Sequence, residues 1–280
     1  MLNLLIPVDF SASSRNAALY AAGLANQIGS RKLVLYNAYQ TMLANFHANP
    51  DLEGLDEEEL LPQKEEELYE LKQEVKSITD SYITIETHCV YEVFSDNLSK
   101  VCKQTNTNWI VMGITGGGKL KERLVGSHTL KVSRNTDNQV IIVPPDARFT
   151  GIKKIMLLTD YEQVDAFTPF DVIHQLMLYT KAHLEVVHVE VNPSAKNHDS
   201  KNIAGENTKM YEHLLSYLPH YYTVYNPSFE KAVDDTVREH SIDLIVVIPK
   251  KVSFIDRLLH VSHIDLLAYH SHVPILVAHK

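Results

Sequence analysis

The sequence predicts an α/β protein of two tandem doubly wound domains, each with a five-stranded parallel sheet flanked by helices. Three observations carry this. Short apolar runs without polar alternation recur along the 280 residues, as strands buried on both faces require. Segments with apolar residues at three- and four-residue steps lie between them. The whole pattern then repeats after about 150 residues, the mark of a duplicated domain.

In order, NLLIPV (3–8) reads as a strand that runs directly into Asp9. SSRNAALYAAGLANQI (13–28) follows as a helix, rich in alanine and leucine, with leading serines able to cap its free amides. KLVLYNA (32–38) is the second strand. Residues 51–74 carry eleven acids and two lysines and read as a solvated helix face or loop. Here EEELYELKQEVKSI (65–78) sets Leu68, Leu71, Val75 and Ile78 on one helical face. After a further strand, the helix SDNLSKVCKQT (95–105) aligns Leu98, Val101 and Cys102, and WIVMG (109–113) is the fourth strand. Another helix and the strand VIIVPP (140–145) close the first half.

The second half answers the first. KIMLLTD (154–160) matches NLLIPVD (3–9), so Asp160 stands for Asp9, and HLEVVHV (183–189) matches KLVLYNA. FEKAVDDTVREHSIDLIVVI (229–248) matches FSDNLSKVCKQTNTNWIVMG (94–113), and VPILVAHK (273–280) matches QVIIVPPD (139–146). Domains are expected at 1–147 and 148–280, joined around PPDARFTG (144–151).

Composition narrows the function. With 45 % hydrophobic and 22 % charged residues, a sizeable core is available. The net charge of −9 resides in the acidic stretch, and the remaining 24 acids and 24 bases balance. Without a basic surplus, nucleic acid is not an expected partner. Cys89 and Cys102 stand in no ligand spacing, which argues against disulfide and structural zinc and suits a reducing cytoplasm. MLNLLIPV is too short for a secretion signal, and no apolar stretch is long enough for a membrane span. Twelve of the fifteen histidines fall at or after residue 174. His260, His263 and His270, with Asp256 and His272 nearby, could form a zinc site, but ordinary surface and half-buried imidazoles are the preferred reading. The tyrosines of YLPHYYTVY (217–225) read as strand and core, since no basic residues interleave to make a base-stacking platform.

The chemistry concentrates in VMGITGGGKLKERLVGSHTL (111–130). It approaches the phosphate loop G-x-x-x-x-G-K-[ST] at Gly113, Gly118 and Lys119, but Leu120 stands where a hydroxyl is needed. A phosphate loop follows the first strand of its domain, and here DFSASS, without glycine, occupies that place. The glycines lie after the fourth strand instead. Gly113 and Gly116 remove side chains from an anion's path, and Gly126 and Ser127 would open a helix whose free amides favour phosphate. Ser127 and Thr129 add hydroxyls. In a doubly wound sheet the ends of the first and fourth strands meet where strand order reverses, so Asp9 would face the same ligand as the glycine loop. As a plain turn, the same residues would form a glycine-rich loop with a capped helix behind it, and Asp9 would cap the helix near Ser11.

With that spacing, G-x2-G-x9-G-[ST] at Gly113, Gly116, Gly126 and Ser127, the stretch resembles the nucleotide loop of the universal stress protein family. IPVDFSASSRNAALYAA resembles that family's opening strand and helix, and VIIVPP its closing strand. The resemblance covers both halves and implies a tandem, Rossmann-like arrangement. It implies ATP in the first domain, with or without magnesium. Asp9, beside Pro7 and Val8, would hold ribose and adenine, and the Ala38 backbone would meet adenine. Met112 and Gly113 would line the ribose. Gly116, Gly126, Ser127, His128 and Thr129 would hold the phosphates, and Thr115 belongs to the same nucleotide-binding set.

In the second domain VVIPKKVSFIDRLLHVSHIDLL (246–267) has no glycine, and Pro249 has no amide to offer a phosphate. That domain reads as a pairing partner or a binder of another ligand. In the family the closing strands pair two domains. Internal pairing of the last strands is therefore implied, and a homodimer stays open. Lys119, Lys121 and Arg123 supply charge, yet no acid or base beyond His128 can be assigned, so the chain leans towards holding ATP rather than cleaving it. The alternatives are a slow ATPase or phosphotransferase, or a small-ligand or scaffolding module built on the second domain. Neither His-x-Gly-His nor Ser-Gly-Gly-x-Asp-Ser follows the first strand, which sets aside adenylating synthetases and ATP pyrophosphatases.

Overall fold

The computed structural model describes residues 2–39, 57–91, 94–114, 129, 132–133, 136–191, 200–249 and 272–280. The chain divides into two compact units, Met1–Asn138 and Gln139–Lys280.

The first unit runs β1 (Leu4–Pro7), α1 (Ala12–Ile28), β2 (Lys32–Ala38), α2 (Glu57–Ile78), β3 (Thr84–Val90), α3 (Phe94–Gln104) and β4 (Trp109–Gly113). Its strands lie in the order β3-β2-β1-β4, all parallel. Every residue of β1 and β4 is buried, as the unbroken apolar runs require of strands covered on both faces. Ser11 caps α1 by accepting from the Ser14 amide at 3.2 Å, and Gly29 closes it at φ 63°. Ala17, Ala18, Ala21, Ala22 and Ala25 are fully buried, so the helix lies close against the sheet.

α2 begins at Glu57, earlier than the amphipathic pattern suggests, and carries Pro62 inside it. Proline there forfeits one amide bond near the start of the helix, and Leu68, Leu71 and Val75 beyond it are buried as expected. Ile78, expected on the same face, is the last helical residue and is 42 % exposed. In α3, Leu98, Val101 and Cys102 are buried together.

The second unit runs β5 (Gln139–Val143), β6 (Lys154–Leu158), α4 (Val164–Phe167), α5 (Phe170–Thr180), β7 (His183–Glu190), α6 (Ser200–Leu214), β8 (His220–Tyr225), α7 (Phe229–His240), β9 (Leu244–Val247) and β10 (Ile275–Val277). The order is β5-β10-β9-β6-β7-β8. The strands from β10 to β8 are parallel, and β5 joins β10 antiparallel through Ile142↔Ile275 and Val140↔Val277. The closing strands of the two sequence repeats are thus partners. Gln139 fastens them: its side-chain amide donates to the His279 carbonyl at 3.1 Å and accepts from the His279 amide at 2.7 Å.

Tyr221, Tyr222 and Tyr225 lie in a strand, β8, at the edge of its sheet with its residues half-buried or exposed, while Tyr217 ends a short 3-10 helix before it. The expectation of core is corrected: an edge strand has one neighbour, and Tyr225 is 65 % exposed. Among the described residues no helix is long and apolar enough to cross a membrane.

Candidate functional site

Strand order locates the site. From β1 the chain passes through α1 to β2 on one side, and from β3 it returns through α3 to β4 on the other side of β1. The C-terminal ends of β1 and β4 therefore flank the point where winding reverses, the crevice at which open α/β sheets take ligands. The register Leu4↔Trp109 and Leu5↔Ile110 brings Val8 level with Gly113.

Pro7 ends β1, and Val8 continues its pairing by donating its amide to the Tyr36 carbonyl at 2.8 Å. The Val8 carbonyl accepts from Asn37 Nδ2 at 2.7 Å, and Asn37 is buried. Asp9 comes next and is exposed. Its Oδ1 accepts from the Ser11 amide at 3.1 Å, and its own amide donates to Ser14 Oγ at 3.3 Å. Partial desolvation raises the Asp9 pKa, but hydrogen bonds from Ser11 and Ser14 outweigh it and hold the carboxyl below its usual value of 3.8. Asp9 is therefore an anion at neutral pH. Phe10 turns the chain at φ 63°, a left-handed conformation rare for an aromatic residue, and Lys64 Nζ stands 5.1 Å from its ring centroid.

Ala38 closes β2 at the same end of the sheet, half-buried. Met112 and Gly113 close β4, both buried. Thr129 is helical and buried, and its hydroxyl donates to the Gly113 carbonyl at 3.3 Å. That bond holds Thr129 against the end of β4. Gly113 also has a packing reason: a Cβ there would lie 2.4 Å from the Ser13 carbonyl oxygen in the first turn of α1. Pro7, Val8, Asp9, Ala38, Met112, Gly113 and Thr129 thus gather at one end of the sheet. Thr115, Gly116, Gly126, Ser127 and His128 lie outside the described residues, as do Lys119, Lys121 and Arg123.

The second unit repeats the strand-end device. Thr159 donates its amide to the Val187 carbonyl at 3.0 Å, as Val8 does to Tyr36. His188 Nδ1 lies 2.9 Å from the Thr159 carbonyl, which can only accept, so the ring donates as Asn37 does to Val8. Asp160 Oδ1 accepts from the Glu162 amide at 2.9 Å, and Tyr161 turns at φ 56°. Asp–aromatic with a positive φ is therefore a turn common to both halves, independent of the glycine loop. The copies differ in access: Asp160 is 9 % exposed, whereas Asp9 is open to solvent. Sequence reasoning passed over Asn37 and His188. Their signal was a polar residue at the same penultimate place in two matching runs, KLVLYNA and HLEVVHV.

Of the histidines considered for zinc, His260, His263 and His270 lie outside the described residues with Asp256, and His272 is exposed. Among the described residues no group of three or more His, Cys, Asp or Glu could hold a metal ion. Cys89 and Cys102 are free thiols, and burial pushes them up to about 11 and about 12.

Residues 1–144 match the Universal stress protein family. Over its whole length the chain has the fold of a universal stress protein from Archaeoglobus fulgidus, at a TM-score of 0.69 and 17 % identity, covering 99 % of this chain and 98 % of that one. A candidate universal stress protein from Pseudomonas aeruginosa aligns at a TM-score of 0.62 and 13 % identity, over 98 % of this chain and 92 % of that one. No curated protein matches the chain.

Proposed function

We propose that this chain, which belongs to the universal stress protein family, binds ATP in the β1–β4 crevice of its first half and holds it as a regulatory ligand of a stress response. The observation that carries this is the exposed, ionised Asp9 carboxylate at the switch point, where its copy Asp160 makes the same turn but is buried. A carboxylate so placed accepts two hydrogen bonds at once, as vicinal ribose hydroxyls require. The Ala38 backbone then meets the adenine, and Met112 and Gly113 line the ribose. Thr115, Gly116, Gly126, Ser127, His128 and Thr129 surround the phosphates, with magnesium, when bound, neutralising phosphate charge.

The domains of this reading run 1–147 and 148–280. The second lacks the cradle, so one nucleotide is bound per chain. No residue is assigned as acid or base, and turnover is absent or slow. Free thiols at Cys89 and Cys102 suit a reducing cytoplasm.

The test starts with protein purified without added nucleotide, denatured, and its released ligands identified by mass spectrometry. ATP and AMP titrations of wild type, Asp9→Ala and Gly116→Val follow. Adenine nucleotide in the released fraction, or saturable ATP binding lost in both variants, is expected. No nucleotide and no binding at millimolar ATP would overturn the reading. Phosphate release with magnesium or manganese separates holding from hydrolysis.

A further inference from the structure

In the second unit a cleft of about 360 Å³ opens beside the turn after β6. It contains neither Asp160 nor Val189, the residues that answer Asp9 and Ala38. Among the described residues its walls come from that turn, from α6 and from β8. Four are tyrosines, Tyr161, Tyr211, Tyr221 and Tyr222, the last with its ring against His240, and the others are Asn207, Thr208 and Thr223. None carries a charge. The first unit has a cleft between the matching elements, α2 and β3, and there Glu65, Glu66 and Lys72 are in the wall.

The neutral cleft is built rather than incidental. Tyr161 is 4 % exposed, fixed at φ 56°, with its ring 5.5 Å from that of His188, which the Thr159 carbonyl holds. The Tyr211 and Tyr221 rings lie 6.0 Å apart. Tyr221 Oη is buried with no hydrogen-bond partner among the described residues. Burial pushes both Tyr161 and Tyr221 up to about 12, so each phenol keeps its proton and can donate it.

Such walls select their occupant. Aromatic faces and edges favour a flat ring. A buried donor without a partner favours an acceptor on that ring. A wall whose described residues carry no charge penalises an ion, which would leave its hydration shell uncompensated. The volume falls in the range of small-molecule sites. We infer that this cleft binds a small, uncharged, planar ring compound whose carbonyl or like acceptor takes the Tyr221 hydrogen bond. The site is independent of the nucleotide crevice.

The test uses the full chain with ¹³C-labelled tyrosine rings, without ATP, titrated with benzamide and with benzoate, which share a shape and differ in charge. Benzamide should shift the Tyr161, Tyr211 and Tyr221 signals saturably in the millimolar range, with benzoate at least about tenfold weaker. Thr208→Trp, at an exposed helix position, should abolish the shifts. Tyr221→Phe should weaken benzamide about tenfold and raise the unfolding midpoint of the free protein, since it removes a buried hydroxyl without a partner. No saturable shift at these rings, equal binding of the two probes, or unchanged binding in both variants would overturn the assignment. ATP is absent throughout, so failure here leaves the nucleotide reading untouched.

Discussion

Gly113→Ala separates packing from flexibility at the end of β4. The added Cβ would stand 2.4 Å from the Ser13 carbonyl oxygen and 2.6 Å from its carbon. A comfortable carbon–oxygen approach is about 3.3 Å, so the first turn of α1 must retreat by roughly 0.9 Å. The obstacle is backbone, not a side chain that can swing away. The helix behind it is seated by five fully buried alanines, and a retreat would open gaps beneath them. Over-packing of this kind costs about 1–3 kcal/mol.

Gly113 does not occupy the left-handed region, so without the clash alanine would stabilise by about 0.4–1 kcal/mol through the unfolded chain. The two mechanisms predict opposite signs. For a loss of about 2 kcal/mol the melting midpoint falls by roughly 4–8 °C. Urea and thermal unfolding followed by circular dichroism read it directly. Gly29→Ala is the control: with φ 63° and nothing within 4 Å, its cost is conformational alone, about 1 kcal/mol. A Gly113→Ala protein as stable as wild type, or more so, would refute the packing explanation.

Asp9→Asn keeps an oxygen for the Ser11 amide and removes the charge. Because the folded pKa lies below 3.8, the carboxylate's contribution is present above that value and lost as pH falls through the folded one. The stability gap between wild type and Asp9→Asn should therefore close in acid, and solvent screening keeps it below about 1 kcal/mol in urea titrations run against pH. Asn37→Ala removes the donor that holds the Val8 carbonyl and should cost about 1–3 kcal/mol in urea unfolding, with weaker ATP binding. In the second unit, His240 Nδ1 lies 2.6 Å from Glu185 Oε2, and Glu185 is buried. Glu185 Oε2 nevertheless has no hydrogen-bond partner among the described residues, so Glu185→Leu should leave stability unchanged or raise it, as denaturation midpoints would show.

Elements with one strong local pattern were legible in the sequence. WIVMG is β4 to the residue, because an unbroken apolar run flanked by polar residues leaves a buried strand few alternatives. α1 was legible through its alanine- and leucine-rich run and its leading serines, though the serine that caps it is Ser11, ahead of Ser13 and Ser14. The early start of α2 was not, since Pro62 reads as a boundary when neighbouring residues are considered alone. Duplication revealed Asp9 and Asp160 as equivalents, but not that one is exposed and the other buried, which depends on what packs above each turn.

Gly113 shows the deeper limit. Its place in a phosphate-loop spacing was visible, whereas its contact with Ser13 arises only when α1 folds back across β4. Pairing of the closing strands was implied by family resemblance, but its antiparallel sense was not, since an apolar edge says that pairing is favourable and not with what or in which direction.

The most direct measurement is the stoichiometry of ATP on the full chain by isothermal titration calorimetry, with Asp9→Ala alongside. The account predicts one ATP per chain, with affinity at least about tenfold weaker in Asp9→Ala. Two equivalent sites, an Asp9→Ala protein that binds like wild type, or no heat of binding and no retained ATP at millimolar concentration would contradict it.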